Sequence, residues 1–134
     1  MINNKYNPFD EDLFEIWPKL FKKDKCWNLS FGTGWYKIIE DLCNKISLVI
    51  DSLPEYEQEE LYVVQIKEKF GGLRFYMSFY NKDIEDLIKE AEILCYKTCE
   101  FCGEPGEIKN KDNAWWVKVR CDKCQQEYDL KPKL

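Results

Sequence analysis

The sequence predicts an α+β fold: helices packed on an antiparallel β-hairpin within a small sheet, with a zinc ribbon at the C-terminal end. Three patterns predict it. Apolar residues recur at helical spacing between residues 35 and 53, they alternate on both sides of Gly71-Gly72, and two cysteine pairs appear after residue 98. With 134 residues, 45% of them apolar, the chain has material for a compact core and a small appendage. The expected division is residues 1–98 for the helix and hairpin domain and 99–134 for the zinc-ribbon unit packed on it.

Taken in order, "DEDLFEIWPKLFK" offers Asp10 as a cap and Leu13, Phe14 and Trp17 as an apolar face, but Pro18 forces a short helix and a break. "KKDKCWNLSFGTG" reads as a loop or an irregular strand. A long helix is expected from Thr33, because Trp35, Ile38, Ile39, Leu42, Cys43, Ile46, Val49, Ile50 and Leu53 share one face, and "SLPEYEQEE" ends it. Residues 61–80 form the hairpin, with Gly71-Gly72 as its two-residue turn. A further helix is expected from a cap at Asp83, burying Ile84, Leu87, Ile88, Ala91, Leu94 and Cys95. After residue 99, "NKDN" reads as a turn and "AWWVKVR" as a strand, with one of Trp115 and Trp116 packed and the other exposed.

Composition narrows the function. A net charge of −5, with the acidic excess in the first 60 residues, argues against general nucleic-acid coating. No basic, apolar leader and no membrane-length apolar run is present, so a cytoplasmic protein without membrane contact is expected. Seven cysteines without a secretory signal favour metal binding over a disulfide framework. The chain has no histidine, which removes the usual proton shuttle and the histidine-assisted nucleophiles, so an enzyme is not expected.

"CEFCG" and "CDKCQ" place Cys99, Cys102, Cys121 and Cys124 as two pairs, each with two intervening residues. That spacing lets a tight knuckle aim both sulfurs at one point, and two knuckles complete a tetrahedron. Four thiolates suit Zn²⁺ best, with iron the lesser option. Four protein ligands leave no position for substrate, so the metal is expected to be structural. Cys43 and Cys95 fall on apolar helical stripes as small core residues, and nothing beside Cys26 would activate it.

"IKEKFGGLRFY" concentrates cations on one hairpin face. Pairing across Gly71-Gly72 sets Phe70 opposite Leu73, Lys69 opposite Arg74, and Lys67 opposite Tyr76. Val64, Ile66, Phe70, Leu73, Phe75, Met77 and Phe79 then face the helices, interrupted by Glu68, while Gln65, Lys67, Lys69, Arg74, Tyr76 and Ser78 face away. Like charges across a strand pair repel, which calls for a compensating anion: a phosphate, a carboxylate of a partner, or the protein's own acids. The candidate ligand contacts are Lys67, Lys69, Arg74, Tyr76 and Trp35. The last ends "FGTGW", whose glycines expose backbone N–H groups that can receive an anion, or which is an ordinary loop with Thr33 capping the helix.

"GTGW", "QIKEKFGGLRFY" and "AE" followed by "CEFCGEPG", then "W", "V" and a closing cysteine pair, together resemble a family of small phage and bacterial proteins with a GGLRFY-type hairpin motif and a C-terminal zinc ribbon. The resemblance covers about residues 31–124. Its members tend to carry an acid where this chain has Thr33. It implies a phage or prophage setting and, by analogy, a host-interaction or counter-defence factor. The expected function is a non-enzymatic binding protein whose partner is an anionic small molecule of nucleotide type or an acidic host-protein surface; homo-oligomers are compatible with it. The alternative is a zinc-ribbon nucleic-acid binder using Lys118, Arg120, Lys123 and Trp115.

Overall fold

A computed structural model describes residues 10–110 and 117–130. Among them are five α-helices, a three-stranded sheet and a separate two-stranded sheet, a mixed α+β arrangement. Helix α1 (Asp10–Ile16) stops before Pro18 and buries Leu13 and Phe14, the latter set edge-on against Phe21 with ring centroids 6.1 Å apart. Strand β1 (Asn28–Ser30) follows. Thr33–Trp35 form one 3₁₀ turn that runs into α2 (Tyr36–Asp51). Thr33 does not cap this helix; its hydroxyl lies 3.5 Å from the Phe101 carbonyl instead. Where "SLPEYEQEE" predicts only a stop, Pro54 begins a second short helix, α3 (Glu55–Glu60), with Glu55 and Glu57 favourably placed in its first turn.

The hairpin comprises β2 (Val63–Lys69) and β3 (Gly72–Met77). Its turn is Phe70-Gly71 rather than Gly71-Gly72. Both turn residues have positive φ, 53° and 84°, the signature of a primed turn, so Lys69 pairs with Gly72, Lys67 with Arg74 and Gln65 with Tyr76. The Glu68 carboxylate fixes this choice by accepting the Gly71 N–H at 2.7 Å. Gly72 is then free to lie under Tyr96, whose hydroxyl would stand 2.4 Å from any added Cβ. Face membership survives from Ile66 to Phe75, because the shift moves each residue's partner by two positions; before Ile66 the irregularity between Val63 and Gln65 puts Val63 in the core in place of Val64, and Gln65, which was expected to face away, is buried. Phe70, at the turn, and Phe79, past the strand end, are nevertheless exposed rather than packed on the helices.

β2 is the central strand: β1 pairs with it in parallel and β3 antiparallel. Helix α4 (Lys82–Cys95) is capped two residues earlier than expected, by Asn81 rather than Asp83: the Asn81 side chain accepts the Ile84 N–H at 3.1 Å, and Asp83 falls in the first turn. α2 and α4 lie against each other and α4 against β3. They enclose Ile39, Ile46, Ile66, Leu73, Ile84 and Ile88 in one core, each such side chain contributing about 1.5–3 kcal/mol. Leu94 is not part of it; it is half exposed.

Beyond α4 come β4 (Glu107–Lys109) and β5 (Lys118–Arg120), an antiparallel pair, then α5 (Asp122–Leu130). Trp115 and Trp116 lie outside the described residues. Helix α5 has no counterpart in the sequence reading, since its apolar periodicity is weak and none of its residues is buried.

Candidate metal centre and the hairpin beside it

The two cysteine pairs converge. The first sits in a knuckle closed by three backbone bonds: Cys99 N–H to Glu104 O at 2.7 Å, Gly103 N–H to Cys99 O at 3.0 Å, and Gly106 N–H to Lys97 O at 2.9 Å. The second opens α5, where the Cys124 N–H points at the Cys121 sulfur, 3.4 Å away, and Gln125 N–H bonds Cys121 O at 3.0 Å. The four sulfurs all lie within 4.8 Å of one another, and those of Cys102 and Cys121 are 3.6 Å apart. A tetrahedral metal with bonds of about 2.3 Å requires sulfur separations of about 3.8 Å, so these donors can hold a metal ion.

Electrostatics agrees with the geometry. Burial pushes the Cys99 thiol up, yet hydrogen bonding at Cys121, Cys102 and Phe101 outweighs it and brings the thiol down to about 7. Cys124 is pushed up, by burial first and then by the other sulfurs. One thiolate forms readily and its neighbours resist a second, which is how four clustered sulfurs behave until a cation offsets their charge. The remaining cysteines are unlike these: Cys26, Cys43 and Cys95 are buried apart from the cluster, and burial raises Cys43 far above its ordinary value and Cys95 to about 12.

The cysteine knuckle is joined to both of the glycine motifs. Glu100, between Cys99 and Cys102, is buried, and its Oε2 accepts the Gly32 N–H at 3.1 Å while its backbone carbonyl accepts the Gly34 N–H at 2.8 Å. The anion received by the "FGTG" loop is therefore the protein's own. Gly34 must be glycine, because a Cβ there would stand 2.3 Å from the Cys99 carbonyl oxygen and 2.6 Å from the Gly103 nitrogen. On the hairpin side, Glu68 accepts the Lys118 ammonium as well as the Gly71 N–H, and Lys118 lies 3.8 Å from Glu100 Oε1, an ion-pair separation longer than a hydrogen bond. Burial raises the Glu100 carboxyl above the usual carboxylate range, with Lys118 opposing and Glu68 reinforcing the shift. Hairpin turn, glycine loop and cysteine knuckle thus meet over one cation and two carboxylates.

The expected ligand contacts separate into three groups. Trp35 is fully enclosed, its indole N–H donating to the Thr98 carbonyl at 2.9 Å, so it is a core residue and no surface remains on it for a ligand. Arg74 reaches round the edge of β3, bonding the Leu73 carbonyl at 3.2 Å, and acts on Glu92 of α4. Lys67, Lys69 and Tyr76 stay on the outer face, Lys69 5.6 Å from the Phe70 ring and Tyr76 substantially exposed. Among the described residues no carboxylate stands at ion-pair distance from Lys67, Lys69 or Arg74. The cations of the nucleic-acid reading are placed otherwise: Lys118 is committed to Glu68, and Arg120 is buried between the Phe101 and Tyr128 rings, 5.1 and 4.1 Å away, with Gln125 as its acceptor. That leaves Lys123 exposed, and Trp115 outside the described residues.

Sequence reasoning missed Glu100 and Lys118 as partners of the hairpin. A glutamate inside a metal knuckle is the one signal that could have pointed to them, since a charge so placed demands a cation nearby. No protein-family model matches the chain, and neither a curated protein nor a solved structure similar to it was found. Among the described residues no helix is long and apolar enough to cross a membrane.

Proposed function

We propose that this chain is a non-enzymatic, cytoplasmic binding protein braced by structural zinc, which engages an anionic group through Lys67, Lys69 and Tyr76 on the outer hairpin face, with Arg74 at its margin. The proposal extends to membership of the phage and bacterial family that the hairpin and cysteine motifs resemble, and to a host-interaction or counter-defence role there. The anion is a nucleotide-type molecule or an acidic patch on a host protein.

One observation carries the reading. Lys67 faces Arg74 across the hairpin, and the acid nearest in sequence, Glu68, is turned to the other face and occupied by Lys118 and Gly71. Like charges opposed in this way cost a few tenths to about 1 kcal/mol unless an anion sits between them. Four thiolate ligands suit zinc and saturate it, so the metal contributes rigidity and no open coordination position for chemistry.

Thermal shift and calorimetry against cyclic and linear nucleotides and inorganic phosphate test it. A ligand at a hundredfold its Kd stabilises by about 2.7 kcal/mol, a rise of several degrees in Tm for a domain of this size. Lys67→Glu with Lys69→Glu should abolish that rise while leaving the unliganded Tm within a few degrees of the parent. If no anion shifts the parent protein, and an acidic host partner binds the double variant as well as the parent, the proposal fails.

A further inference from the structure

We infer, resting on the anion reading above, that the ligand of the outer face is a nucleoside phosphate such as an adenine nucleotide: its phosphate lies over Ser30 and Lys67, and its base over a row formed by Asn28, Gln65 and Tyr76. The buried Gln65 amide points there. Gln65 pairs with Tyr76 of β3 on one side and Asn28 of β1 on the other, while its neighbour Ile66 pairs with Phe75 and Leu29 in the core. Cross-strand partners share a face and successive residues alternate, so the Gln65 side chain leaves the sheet on the side of Tyr76, which is 42% exposed. Gln65 itself is 5% exposed. A carboxamide so enclosed ordinarily bonds within the protein. This one has no hydrogen-bond partner among the described residues, yet among their buried and half-buried side chains only Glu100 Oε1 is both unpartnered and cut off from solvent. The Gln65 stem is therefore covered while its amide tip opens onto the outer face.

The neighbouring side chains suit the same guest. Asn28 is half-buried and Ser30 exposed, neither side chain has a hydrogen-bond partner among the described residues, and Ser30 stands beside Lys67 in register. Two rows result, two residues apart along the strands, about 6.6 Å. One offers a hydroxyl and an ammonium, donors that hold a phosphate. The other offers a phenol ring and two carboxamides across three neighbouring strands, a width of about 10 Å. An aromatic ring stacks on a base, and a carboxamide presents a donor beside an acceptor, the pattern that pairs with the amino group and ring nitrogen of adenine. A carboxylate patch on a protein would match the cations but leave both amides idle.

The test compares adenosine monophosphate with ribose 5-phosphate, which keeps the phosphate and sugar and lacks the base, by calorimetry on the full metal-loaded chain. Adenosine monophosphate should bind about fiftyfold more tightly. Gln65→Met, which keeps the bulk of the side chain and removes the amide, should weaken adenosine monophosphate about tenfold and leave ribose 5-phosphate unaffected. The Tm of the unliganded variant should be unchanged or slightly higher, because the parent amide has no internal bond to lose. Should Gln65→Met misfold, ethenoadenosine monophosphate, whose N1 and N6 are bridged, makes the same test on the parent protein and should lose the same factor. If both phosphates bind the parent equally, or a glutamate peptide binds it more tightly than the nucleotide, the base contact is overturned while the anion reading stands. If neither the phosphates nor the peptide bind, both fail. Undiminished nucleotide affinity in Gln65→Met would likewise overturn the base contact.

Discussion

On the side of the hairpin turned toward the cysteine unit, Lys118 meets Glu68 and Glu100, and each carboxylate also takes a backbone N–H. On the outer side Lys67 and Lys69 have no carboxylate of the described residues at ion-pair distance, and Arg74, at their margin, acts on Glu92 of α4 from beyond that distance. The same hairpin therefore spends its charge in two ways. Inside the junction, charge is enclosed and matched, so removing a partner leaves an expensive orphan. Outside, charge is solvated and unmatched, so removing it costs nothing and relieves repulsion. The difference teaches that a cluster of cations in a sequence has no single meaning: what decides is which of them the fold supplies with acids.

Perturbing each side should give effects of different size and sign. The largest is expected for Cys99→Ser, which removes the buried sulfur of the cluster that can hold a metal ion; with the proposed zinc, whose structural binding is worth on the order of 10 kcal/mol, the C-terminal unit should lose its protected amides in hydrogen exchange. Gly34→Ala comes next, at about 3 kcal/mol by urea denaturation, because the new methyl group would meet backbone atoms of the knuckle that cannot move away. Lys118→Met should cost about 2–3 kcal/mol, leaving two enclosed carboxylates facing each other. Lys67→Gln, the matching change on the outer face, should instead stabilise by about 0.5 kcal/mol. A loss on Lys67→Gln as large as that on Lys118→Met would erase the distinction.

The helical core offers a separate, pH-dependent test. Cys95 is held at about 12 by burial, against an ordinary value of 9.0. As pH rises above 9 the unfolded chain releases this proton and the folded chain keeps it, so stability falls between pH 9 and 12, by at most about 1.4 kcal/mol per pH unit for one thiol. Below pH 9 the group contributes no slope. Comparing Cys95→Ala with the parent across that window isolates the effect, and the variant should show the flatter curve.

Much of this was legible in the sequence, and the failures have physical causes. The four cysteines announce their convergence because spacing within each pair dictates local geometry. The hairpin's faces follow from alternation between Ile66 and Phe75 but not across the irregularity at Val63–Gln65, and its turn did not follow, since Gly71-Gly72 satisfies the same pattern; Glu68 and Tyr96, distant from any turn rule, choose Phe70-Gly71. "FGTGW" resembles a phosphate loop because exposed N–H groups look alike whether they await a ligand or a glutamate. Glu100 lies nearly seventy residues away, and only the folded chain brings it there. Trp35 was miscast for the same reason: aromatic residues next to glycines serve cores as readily as ligands. Helices α3 and α5 escaped notice because neither buries a residue, which leaves no periodicity to read.

The central claim is that a metal held by Cys99, Cys102, Cys121 and Cys124 clamps the glycine loop and the hairpin turn. Amide hydrogen exchange with and without a chelator measures this directly at Gly32, Gly34 and Gly71, whose N–H groups bond Glu100 or Glu68. The account predicts one metal ion per chain, and on chelation a loss of protection at all three glycines before the amides of α2 are affected. Glycine amides that keep their protection after the metal has been removed would contradict it.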